Sequence, residues 1–129
     1  MVTEQQLRET FQRWVDAENA RDWDGFDRLV DEVVTSDYVG HLPGARNPVR
    51  GPKELKQYGR SVVGSIPGFH STIEDVFVAG NKAAGRFTAR RTDPATGKTQ
   101  RAMVVYICHL EGGKYTEDWE LAGAWEDEA

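Results

Sequence analysis

The sequence predicts an α+β fold in which three N-terminal helices pack against a curved, mostly antiparallel sheet. Two observations predict it. Apolar residues recur with a period of 3.6 up to Ile66 and with a period of 2 from His70 onward, the switch falling at Pro67-Gly68. The second half is then interrupted by short turn-forming clusters, at Ala79-Gly80-Asn81, Asp93 to Gly97 and Glu111 to Lys114. Helices first and long hairpin strands afterwards is an α+β order rather than an alternating one. At 129 residues, one domain over positions 1–129 is expected.

Each element has a local reason. Leu7, Phe11, Trp14 and Val15 make one apolar stripe, and Thr3 with Gln6 has capping-box spacing, which starts the first helix. A second helix begins at Asp24 with Phe26, Leu29, Val30 and Val33 inward; its acids suit the positive end of the helix dipole. Asp37 to His41 reads as a short strand before the Pro/Gly-rich loop His41 to Gly51. A third helix follows Gly51-Pro52, where proline is tolerated at the first position, and faces inward with Leu55, Tyr58 or Gly59, Val62 and Ile66. The strands are His70 to Val78, Lys82 to Thr92, Thr99 to Leu110 and Tyr115 to Ala122. Helices laid across the concave face of such a sheet leave a pocket between them.

Composition removes several function classes. The net charge of −5 argues against a phosphate-backbone partner, so no nucleic acid is expected. No run approaches the roughly 18 apolar residues of a membrane span. MVTEQQLRET lacks a basic segment followed by an apolar run, so no secretory signal is expected and the location expected is cytoplasmic. The single cysteine, Cys108, lies in an apolar run and reads as a buried thiol. The three histidines have no HxH or HxxxH spacing, so no metal site is expected.

Val105-Tyr106-Ile107-Cys108-His109-Leu110-Glu111-Gly112-Gly113-Lys114, followed by Glu117-Asp118-Trp119-Glu120, resembles the last hairpin of SnoaL-like polyketide cyclases, within the NTF2-like superfamily. Asp37-Tyr38-Val39-Gly40-His41 resembles that family's short strand ending in His, and Gly51-Pro52-Lys53-Glu54-Leu55 its third-helix start. Ile73-Glu74-Asp75 with Gly80-Asn81-Lys82 resembles its first long hairpin. The resemblance implies an NTF2-like cone: a curved sheet over three helices with an internal apolar cavity. It also implies cofactor-free acid–base chemistry, in which a carboxylate after the hairpin Trp removes a proton beside a carbonyl and the enolate closes a ring. That carboxylate maps onto Glu120, where the family usually has Asp, and a His fourteen positions earlier maps onto Tyr106. A homodimer formed through the outer face of the sheet is expected from the same resemblance.

Alternation gives these candidates directions. If Glu120 points into the cavity, so do Asp118 and Ala122, while Glu117, Trp119 and Leu121 face the other way. Tyr106 shares a face with Val104 and Cys108; His109 lies opposite. Two acids in an apolar cavity would share a proton or be solvated at a rim. Glu120 is the expected base, Tyr106 and His41 hydrogen-bond donors or proton shuttles, and Asp118 a modulator. Ordinary core or loop-fixing roles compete with each. Tyr38, Trp14, His70, Phe87, Cys108 and Trp119 are the expected substrate contacts. Arg86 and Arg90 make one strand face basic, with Glu74 or Glu120 as expected partners. The leading reading is a cyclase or isomerase of an apolar, carbonyl-bearing substrate. The alternatives are an epoxide-opening enzyme in the same pocket and a non-catalytic binding or dimerisation module.

Overall fold

A computed structural model describes residues 2–128. Helix α1 spans Glu4–Ala20, and its capping box forms as expected: Thr3 and Gln6 exchange backbone–side-chain hydrogen bonds at 2.9 and 3.1 Å. Helix α2 is Trp23–Val33, one residue earlier than the sequence suggests, because Asp22 caps it through the Gly25 amide. The chain passes directly into β1, Val34–His41, which begins three residues before the expected strand. After β2 (Val49–Arg50) comes α3, Gly51–Ser61, with Pro52 in its first turn. A 3-10 turn, Val63–Ser65, closes the helical half.

The strands follow as β3 (His70–Ala79), β4 (Lys82–Thr92), β5 (Thr99–Glu111), β6 (Lys114–Ala122) and β7 (Glu126–Asp127). Among the described residues they form one sheet in the order β2-β1-β6-β5-β4-β3, with β7 on β5. All pairs are antiparallel except β1 with β6. The two shortest strands were not expected. A two-residue strand carries no period of its own, so only its pairing partner defines it.

One face of the sheet packs on the helices. Leu7, Phe26, Val30, Leu55, Val76, Tyr106 and Cys108 are nearly inaccessible there. Asn19 clamps α1 to β3 by bonding both the amide and the carbonyl of Ser71, at 2.8 and 3.0 Å. Phe26 lies against Gly59 where any Cβ would collide with its ring, and Tyr58 also packs inward against the core, so both candidate positions of α3 face the interior.

Two bulges redirect side chains. In β3 the pairing slips between Ile73 and Asp75, so Asp75 rather than Glu74 meets Arg86 at 2.8 Å. Arg90 pairs with Glu128 at 3.2 Å. Neither arginine reaches Glu74 or Glu120, which corrects the expected partners. In β6 the pairing slips between Tyr115 and Glu117, which turns Tyr115 into the core alongside Asp118. No helix among the described residues is long and apolar enough to cross a membrane.

Candidate active site

The helices and the inner face of the sheet enclose a cavity of about 290 Å³. Its walls are largely apolar: Phe11, Trp14 and Val15 from α1, Phe26 from α2, Leu55 and Tyr58 from α3, and Phe87 and Val104 from the sheet. Three carboxyls break that wall. Asp118 and Glu120 enter from β6, and Glu18 enters from α1. No Lys, Arg or His lines the cavity among the described residues.

The register of β5 and β6 brings the proposed machinery together. Tyr106 pairs with Glu120, and Cys108 pairs with Asp118. Paired side chains leave the same face with Cβ atoms about 5 Å apart. Gly85 sits beside Tyr106 on β4, and a Cβ there would strike its ring, so the glycine makes room for the phenol. Phe11 stacks on the same ring from the helix side, with centroids 4.5 Å apart and planes 7° from parallel. The ring is held from two sides, yet its hydroxyl has no hydrogen-bond partner, nor do the Tyr115 hydroxyl and Asp118 Oδ1. Buried polar atoms left in this state normally have a partner waiting.

Burial controls the proton affinities. With no cation to stabilise charge, desolvation pushes the Glu120 carboxyl up from 4.5 to about 7. Asp118 rises well above the usual carboxylate range, through burial and then through the charge of Glu120. Glu18 is pushed up to about 8 by the same two effects, while the Trp14 indole N–H, one turn earlier, pulls the other way. Burial holds the Tyr106 and Tyr38 phenols and the Cys108 thiol in their protonated forms, the thiol at about 12. Cys108 is therefore cavity wall and no nucleophile.

The remaining expected residues divide cleanly. Tyr38, Trp14, Phe87 and Cys108 line the cavity. His70 is exposed at the start of β3 and does not. His41 pairs with Trp119 across β1 and β6, which places both on the outer face of the sheet. There the His41 ring stacks on Trp119 at 5.5 Å and its Nε2 lies 2.9 Å from Glu117. His109 meets Trp119 edge-on from the other side. His41 also borders an open recess between Leu42–Pro48 and the end of β6, and Glu120 reaches that recess as well as the cavity.

Glu18 and Tyr115 belong to the site but not to the sequence reading. Glu18 continues the stripe Leu7, Phe11, Trp14, Val15 at helical spacing, so a charged residue on an inward face was the available signal. Tyr115 gave none, because regular alternation from Glu120 sends it outward and only the bulge brings it in.

No curated protein sequence matches the chain. Solved structures do. A protein from Jannaschia sp. CCS1 assigned as a SnoaL-like polyketide cyclase is similar with a TM-score of 0.76 and 17% identity, over 92% of this chain and 86% of that one. One from Bacillus cereus ATCC 10987 assigned as a polyketide cyclase has a TM-score of 0.68 and 28% identity, over 88% of this chain and 71% of that one. One from Kribbella flavida DSM 17836 assigned as a ketosteroid isomerase has a TM-score of 0.70 and 15% identity, over 98% of this chain and 84% of that one. The SnoaL-like domain is matched over residues 11–118, and the helices, curved sheet and cavity have the ketosteroid isomerase-like NTF2 fold. This chain belongs to the SnoaL-like family.

Proposed function

We propose that the protein is a cofactor-independent cyclase or isomerase that removes a proton beside a carbonyl, with Glu120 as the base. The observation that carries this reading is the pairing of Glu120 with Tyr106 across β5 and β6, inside a cavity without cations. Glu120, at about 7, is part-ionised at neutral pH and strong enough in its ionised form to take a carbon-bound proton assisted by an adjacent carbonyl. Burial and the charge of Glu120 raise the proton affinity of Asp118, so in this reading it is the hydrogen-bond donor of the pair and the two carboxyls take opposite roles. The unpartnered Tyr106 hydroxyl is placed to donate to the enolate oxygen as charge develops there.

In ring closure, Glu120 takes the α-proton and the C–H electron pair becomes the enolate. The enolate carbon then forms a carbon–carbon bond with a second carbonyl of the same molecule, and the new alkoxide takes a proton from a cavity acid. In isomerisation, the proton held by Glu120 returns to a different carbon. Both outcomes share the first step. Tyr38, Trp14 and Phe87 would hold the apolar body of the substrate against the walls, whereas His41 and Trp119 act outside the cavity.

The test is turnover of wild type and Glu120→Gln on polyketide-like methyl esters, a Δ5-ketosteroid and hydroxy-epoxides, with products read by mass spectrometry and folding checked by circular dichroism. The reading expects a carbonyl substrate to be turned over and the folded variant to lose at least about a hundredfold in rate. Equal activity of the two proteins would remove Glu120 from the mechanism, and turnover of the epoxides alone would replace the reaction.

We also propose a homodimer through the outer face of the sheet. Met103, Val105, Ile107, Trp119 and Leu121 stand together there, and Leu121 is 74% exposed. A contiguous apolar patch of this kind normally has a cover. Analytical ultracentrifugation should give twice the chain mass, with Leu121→Lys shifting it to the chain mass. A monomeric wild type at 100 μM, an arbitrary but roughly typical working concentration, would contradict it.

A further inference from the structure

The proton-transfer scheme uses two carboxyls, and the cavity holds three. Glu18 stands on the helical wall, opposite the sheet, and does no work in the abstraction step. A carboxyl on an apolar wall costs stability even with the Trp14 indole N–H beside it, and a leucine or glutamine there would serve a neutral substrate better. We propose that the cavity, taken as the substrate site of the preceding section, receives an organic cation: a protonated or quaternary amine on an apolar or aromatic body, with Glu18 as its counter-charge.

Three independent features agree. The first is charge. No basic side chain among the described residues lines the cavity: Arg86 pairs with Asp75, Arg90 with Glu128, and Arg91 lies over the ring of Trp125, which borders the cavity, at 4.8 Å. Arg46 lies on the outer recess that Glu120 also borders, and not in the lining of the cavity. An anionic substrate would therefore find no counter-ion in the cavity lining. The second is the wall itself. Trp14 and Phe87 line the same cavity as the carboxyls, and aromatic faces attract cations. The third is the set of acceptors already in place. Asp118 Oδ1 and the Tyr115 hydroxyl are buried without partners and can accept from an N–H or face a quaternary nitrogen.

The proposal has a proton-linked consequence. In the empty cavity Glu18 holds its proton to about pH 8 and Glu120 to about pH 7. The other titratable groups facing them are Asp118 and Tyr115 on β6, Tyr38 on β1, Tyr58 on α3, and Tyr106 and Cys108 on β5. Burial raises the proton affinity of each. A bound cation favours ionised Glu18, so binding expels a proton and tightens as pH rises.

The experiment is calorimetric titration with (3-hydroxybenzyl)trimethylammonium, whose positive charge does not change with pH, and with its neutral carbon isostere 3-neopentylphenol. The cation should bind at least about tenfold more tightly at pH 8.5 than at pH 5.5, while the isostere changes by less than about threefold. At pH 7, two buffers of different ionisation enthalpy should report proton release with the cation only. Glu18→Gln should abolish most of the advantage of the cation and leave the isostere within about threefold. Equal affinity for the two probes at both pH values, unchanged cation binding in Glu18→Gln, or no cation binding at millimolar concentration would each overturn the proposal. None of these outcomes depends on Glu120→Gln turnover, so the base and the cation site stand or fall separately.

Discussion

Burial raises the proton affinity of Glu120, and the proposed role of base near neutrality rests on that. A carboxylate paired with an arginine would be too weakly basic for the same task, and the register keeps Arg86 away: it pairs with Val105 on the outer face, while Glu120 pairs with Tyr106 on the inner one. This makes a pH prediction: kcat/KM should rise through about pH 7 and level off above it, following ionisation of Glu120. A rate that falls over the same range would assign the acid form to the critical step. Glu120→Asp shortens the reach by one methylene and should cost roughly tenfold to a hundredfold at constant fold, since displacements near 1 Å matter in proton transfer. Single-turnover rates would measure it. The inward direction of Asp118, Glu120 and Tyr106 was legible, because alternation needs only a correct strand and one anchored residue. His41 was not. Its direction depends on a parallel pairing with β6, which no local pattern encodes.

At the scale of the element, the site depends on what the strands give up. Gly85 leaves a gap in β4 that the Tyr106 ring fills, and Phe11 closes the other side. Gly85→Ala should lower stability by about 1–3 kcal/mol through overpacking, and it should reduce turnover further by displacing the phenol. Denaturant unfolding alongside kinetics separates the two effects; an unchanged midpoint would show that the ring has room to move. The long strands and the three helices were legible because each repeats its period several times. The bulges at Glu74 and Thr116 were not, since one extra residue leaves the composition of a strand unchanged while reversing every side chain beyond it. That reversal hid Tyr115 and misassigned the partner of Arg86.

The whole molecule carries the cost of its cavity. Glu18 and Glu120 bind protons more tightly folded than unfolded, with values of about 8 and about 7 against 4.5. The sign follows: stability is greatest near and below pH 4.5 as far as these two groups act, declines as pH rises to about 8, and is level above. The pairs that act oppositely, such as Glu32 with Arg13, are exposed and matter at lower pH. Thermal unfolding should therefore give a higher Tm at pH 5.5 than at pH 8.5, and Glu18→Gln should flatten the difference. A Tm that rises with pH would mean that the carboxyls are hydrated in the folded protein. The fold was legible at this scale from the order of elements, and the apolar cavity was implied by the family resemblance. The third acid was not, because an apolar stripe is read by its hydrophobic members and Glu18 sits among them as an exception.

Proton abstraction by Glu120 can be tested without knowing the ring that is closed. A carbonyl probe that fits the cavity, such as a 3-ketosteroid, is incubated in deuterated water with wild type or Glu120→Gln, and loss of the α-proton signal is followed by NMR. Enzyme-dependent exchange that vanishes in the folded variant is the predicted result. Exchange that proceeds equally in both proteins would contradict the account.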